Sequence, residues 1–263
     1  MAETALASTY SLPRERNLIL GSLLVLAGAS WALLIWQAAV MGDDMSLTMG
    51  ISAPLWIALW VAMMAAIMFP TAAPMILMFA RVHVKRHERG QAFVPTWVFA
   101  GSYLLVWSLA GVAAYGVAVA ADEAADRSMW VMENAPRMGG GVLIAAGLYQ
   151  LSPLKSICLN KCRAPMAFIL NSWRDGYAGS FRMGLEHAAY CLGCCWLLFV
   201  ILFPLGMLNI GAMALITFLI FAEKSTPIGR HIAALAAVGL VIYGALVIFV
   251  PDALPTMMSD SST

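Results

Sequence analysis

His187, Cys191, Cys194 and Cys195 fall within one nine-residue window of the sequence, in the run Cys191-Leu192-Gly193-Cys194-Cys195-Trp196 and the turn before it. Positions three and four apart share a helix face, so three thiols and an imidazole can converge on one small volume. Soft sulfur with imidazole, shielded from water, suits copper(I), zinc or a similar thiophilic ion. Cysteine is also a small hydrophobe that packs well, which is the ordinary reading of a lone membrane cysteine. Three thiols in five residues, one turn from a histidine, favour a ligand cluster.

A second pair, Cys158 and Cys162, has the same four-residue spacing in a stretch that also carries Lys155, Lys161 and Arg163. These thiols read as a capture or relay point at the cytoplasmic mouth, or as incidental reduced cysteines. Thioethers are the third ligand type. Met64, Met68, Met75 and Met78 share one face of a segment interrupted by Pro70 and Pro74. They bind copper(I) but are poor ligands for zinc. Met64 and Met68 are the expected donors to the cysteine cluster. Met41, Met45 and Met49 form a looser ladder. His83 and His87 sit among arginines and a lysine, which would repel a cation, and are read as part of a basic loop.

The elements that must position these residues are membrane spans. The chain has 263 residues, is 62% hydrophobic and 11% charged, and has a mean hydropathy of +0.84. Soluble domains do not have this composition. Apolar runs of roughly the 20 residues needed to cross a bilayer recur along the length. They predict an all-α polytopic transmembrane bundle of about seven spans, near 17–41, 51–80, 96–120, 138–154, 182–204, 207–222 and 232–250. Residues 1–16 then form a cytoplasmic tail, 17–250 a single helical domain and 251–263 an outer tail. Thirteen of the 15 basic residues fall in alternate loops, and only Arg127 and Arg137 lie on the other side. The positive-inside rule then places the N-terminus in the cytoplasm and the C-terminus outside, in the inner (cytoplasmic) membrane of the cell. Cys191 to Cys195 come 9–13 residues after Arg182, or ~13–20 Å into the bilayer. The lipid bilayer is the expected surrounding, and no basic tract or aromatic platform points to nucleic acid.

Four blocks together resemble a bacterial family of predicted metal-binding integral membrane proteins. They are Met63 to Pro70 with Pro74 and Met75; Gly147 to Lys155 with Cys158, Cys162 and Arg163; Gly184 to His187 with Cys191 to Trp196; and Glu223-Lys224. Ala188 stands where the family pattern has glycine. The resemblance implies a metal role and a small soluble companion protein. The leading expectation is copper(I) transfer or homeostasis through His187, Cys191, Cys194 and Cys195, with zinc as the other candidate ion. A copper-dependent oxidoreductase acting on a lipophilic substrate is the alternative, disfavoured by a total of four histidines. A scaffold subunit with incidental cysteines is the third reading.

Overall fold

A computed structural model describes residues 12–41, 46–87, 89–90 and 94–254. Among these the apolar runs become helices: α1 (Leu12–Met41), α2 (Ala53–His87), α3 (Thr96–Arg127), α4 (Met129–Gln150), α5 (Pro153–Arg163), α6 (Pro165–Ser172), α7 (Gly176–Val200), α8 (Leu202–Leu205), α9 (Ile210–Ser225) and α10 (Gly229–Phe249). The described residues contain no strand. Five stretches are long and apolar enough to cross a membrane: 14–40, 53–87, 96–127, 176–205 and 229–249. The pair α4 and α5, bent by 62° at a short break, makes a sixth if it is one span. The sequence predicts seven. The seventh, α9, has 16 residues, or ~24 Å against a hydrocarbon core of about 30 Å.

Helix α2 forms the centre. From Met63 to Phe69 every residue is buried. The helix continues through Pro70 and Pro74 to His87. Its lysine, arginine and histidine close the last turn, where cations complement the helix dipole. His83, expected in a basic loop, is instead a buried residue of this helix, stacked on Phe79 and Trp173 with ring centroids 5.6 and 6.0 Å away. Its Nε2 accepts a hydrogen bond from the Val94 amide.

Close helix approach is built from small residues. A Cβ on Gly140 would stand 2.7 Å from the carbonyl oxygen of Gly244, and one on Gly244 would stand 2.6 Å from that of Gly140. Helices α4 and α10 therefore touch backbone to backbone, where packing rather than water exclusion holds helices together. At the acidic end of the bundle, the Asp122 carboxylate accepts from the amides of Leu47 and Thr48, both at 2.9 Å, and from the Thr48 hydroxyl at 2.7 Å. Within the methionine ladder, Met49 is buried in the core. Met45 and the Met41 side chain lie outside the described residues.

The bend between α4 and α5 matters most for the site. Ser152 caps α5 by accepting from the Lys155 amide, and Pro153 follows at its first position, where no N–H is needed. A stretch read from sequence as a basic mouth thus becomes a helix that folds back against α7.

Candidate metal centre

The sulfurs of Cys162, Cys191 and Cys194 all lie within 4.8 Å of one another. Two come from α7 and the third from α5. This differs from the set expected on α7 alone, and the reason is helical geometry. Cys194 and Cys195 are adjacent, so their side chains leave the helix about 100° apart and cannot both face α5. The Cys195 thiol turns back to the Cys191 carbonyl at 2.8 Å, and Cys194 does the same at 3.1 Å while also facing α5. Cys162 Sγ and Cys194 Sγ stand 4.0 Å apart. All five cysteines are free thiols.

Position 193 makes room for α5. A Cβ on Gly193 would meet Cys158 Sγ at 2.8 Å, so Cys158 occupies the space a side chain would fill. The Tyr149 hydroxyl donates to the Gly193 carbonyl. Deeper along α5, Lys155 Nζ contacts Glu223 Oε2 at 2.7 Å, with both side chains 2% exposed. Gln150 donates to the other carboxylate oxygen at 3.2 Å. This ion pair fastens α5 to α9. Arg163 adds a hydrogen bond to the Thr226 carbonyl at 2.7 Å.

Three further groups surround Cys191. Met68 Sδ lies 3.9 Å from its sulfur, the Tyr103 hydroxyl 3.1 Å and Lys224 Nζ 3.1 Å. Met64, one turn before Met68, is fully buried in the core. His187 is held between the rings of Phe99, Tyr103 and Phe168, with centroids 5.5 to 5.9 Å away. Its Nδ1 is buried without a hydrogen-bond partner among the described residues. Such an orphaned nitrogen is costly unless something fills the need. His187 reaches its place through Gly184, where a Cβ would stand 1.9 Å from Ser102 Oγ and 2.5 Å from the Phe99 carbonyl oxygen. Glu186, on the adjacent face, accepts from the Ser172 hydroxyl at 3.2 Å and does not orient the imidazole.

The donor set suits a soft ion. Three sulfurs around an ion with bonds of about 2.3 Å stand ~4 Å apart, close to the Cys162–Cys194 separation. The Met68 thioether, 3.9 Å from Cys191 Sγ, adds a sulfur of a kind that favours copper(I) over zinc. Three thiolates on a univalent ion leave excess negative charge, and Lys224 is the cation placed against it. The sequence marks Lys155 and Lys224 as basic residues and Glu223-Lys224 as a family block, but neither their contacts nor Tyr103 beside Cys191 is visible in it. The available signal was the dipeptide Glu223-Lys224 closing an apolar helix, where charge is expensive unless it is used.

A family model described as PpoB2, copper chaperone, matches residues 57–247, well over half of the chain. No curated protein and no solved structure matches the chain.

Proposed function

The chain belongs to the PpoB2 copper chaperone family, and from that premise we propose that it carries copper(I) within the membrane at Cys162, Cys191 and Cys194. The observation behind this reading is the meeting of three free sulfurs from two helices within 4.8 Å. Met68 supports the same ion from the third side, and His187 supplies an unclaimed nitrogen on the same helix. Cys195 and Cys158 line the surroundings. Cys195 is held by a backbone carbonyl, and Cys158 packs against Gly193.

The ion travels as cargo without changing oxidation state. Thiolates bind it in the apolar interior, and Lys224 offsets their charge, because uncompensated charge is expensive at that depth. The Lys155–Glu223 pair is neutral as a unit and holds α5 and α9 so that Cys162 and Lys224 face α7 together.

The protein crosses the membrane seven times, with the α4–α5 pair as one bent crossing and α9 as a short one. Its N-terminus is cytoplasmic. The basic residues of alternate loops in the sequence support this orientation, and the outer surface supports the spans. Large apolar side chains such as Val25, Leu109, Phe218, Leu235 and Phe249 are exposed on the sides, an apolar surface that lipid rather than water would cover. Residues 17–250 then form one helical domain.

Metal counting by mass spectrometry on the purified protein, loaded with copper(I) in detergent, tests the assignment. One copper per chain is expected in the wild type and none in the Cys162/Cys191/Cys194→Ser variant. Equal copper in both would refute the site. A wild type without copper would leave a scaffold role instead.

A further inference from the structure

A cavity of about 230 Å³ opens beside the three sulfurs, lined by Met75, Cys162, Arg163, His187, Lys224 and Ser225 among others. Pro74 and Ser225 at its rim are exposed, and Cys162 and Lys224 are partly so, whereas Cys191 and Cys194 are buried behind them. Cys162 is therefore the thiol of the three that an incoming molecule meets first.

The charge of this cavity is one-sided. Arg163 and Lys224 both line it, and no carboxylate does among the described residues. Arg163 is hydrogen-bonded to a neutral carbonyl, which leaves its charge uncancelled. The nearby carboxylate of Glu223 is committed to Lys155 and Gln150. A cation lining is unfavourable for a bare metal cation approaching through it. The same lining attracts a carrier whose own charge is negative.

We propose that this cavity is an exchange port that binds a small anionic thiol escorting copper(I), with Arg163 holding the carrier's carboxylate while the ion moves to Cys162. The idea rests on the copper reading above. In the exchange, a bond forms between copper and Cys162 Sγ, and the bond between copper and the carrier's sulfur breaks. The proton leaving the Cys162 thiol goes to the departing carrier thiolate. Copper stays univalent and no electron is transferred. Cys191 and Cys194 then bind the ion as well, and each thiol that ligates as thiolate gives its proton to water.

The test supplies copper(I) as its mercaptoacetate, mercaptoethanol or cysteamine complex to the full-length protein in an uncharged detergent, at equal buffered free copper(I). These carriers are anionic, neutral and cationic. Free-ion uptake would give equal loading rates for all three. The port predicts loading from the anionic carrier roughly tenfold faster than from the cationic one, within the range of electrostatic steering. The preference should shrink to about twofold in Arg163→Gln, return in Arg163→Lys, and fall in the wild type at high salt. Equal rates for the three carriers in the wild type, or an undiminished preference in Arg163→Gln, would overturn the port and leave the copper site standing. A wild type that loads from none of the carriers would remove both.

Discussion

The first turns and the middle of the central helix α2 are packed on opposite terms. Near its start, Trp56 and Trp60 stack with centroids 5.6 Å apart, and Phe199 meets Trp107 edge-on at 5.1 Å. The Trp60 indole donates to the Trp107 carbonyl at 2.9 Å. A Cβ on Gly111 would lie 2.3 Å from the Trp60 ring, so the indole fills the notch that glycine leaves. Around Met68 and Met75, in the middle of α2, the neighbours change to thiols, an ammonium and an imidazole. The first region spends its atoms on contact. The second gathers side chains able to ligate an ion or carry charge. If the proposed copper site is right, variants in the two stretches should fail differently.

The sharpest contrast comes from Cys191→Ser and Trp60→Ala. The serine variant should fold and lose its copper by metal counting. The alanine variant should lose about 3–5 kcal/mol of stability, as large-to-small core changes do, in a denaturant titration in detergent. The fraction that still folds should load copper. A folded Trp60→Ala protein without copper would erase the distinction between the two stretches.

Next in size is the ion pair. Glu223→Gln leaves Lys155 buried without its partner and should cost about 3–5 kcal/mol. Replacing both with methionine should recover most of that loss. If the pair also places Cys162 and Lys224, the double variant will be stable yet load copper more slowly. Stability and loading measured on the same preparations decide the point.

Smaller effects separate two glycines. Gly111→Ala forces its methyl against the Trp60 ring and should cost ~1–3 kcal/mol with copper content unchanged. Gly193→Ala meets the Cys158 side chain, with the sulfur at 2.8 Å. It should cost less stability but shift α5, and so weaken copper binding in a competition titration against a chromogenic chelator.

The smallest effect lies at the basic end. The Trp173 indole and Arg86 hold the Asp175 carboxyl below its usual range. A carboxyl depressed in the folded state stabilises above its unfolded pKa, and that contribution fades as pH falls through the folded value. Asp175→Asn should therefore differ slightly from wild type near neutrality. The difference should vanish well below the ordinary carboxylate pKa of about 4.

Much of this was legible in the sequence. Apolar runs and small residues announced helices in close contact, and α4 against α10 through Gly140 and Gly244 is such a contact. The cysteine spacing marked α7 as the chemical helix, and the match over residues 57–247 supports copper handling. Cys162 looked like part of a separate mouth because local spacing carries no information about a 62° bend that returns a helix to its neighbour. His83 looked solvated because its sequence neighbours are charged, although its own face of the helix turns inward.

Composition and periodicity alone determined that the chain is helical, that it is apolar enough for lipid, and which residue types can ligate a soft ion. Those properties are local: they depend on side-chain chemistry and on spacings within one helical turn. Which sulfurs share a site, and which cation stands beside them, was decided only when α5 and α9 closed on α7. That closure depends on a missing side chain at Gly193 and a buried pair between Lys155 and Glu223, 68 residues apart, and spacing within a single helix cannot encode contacts of that range.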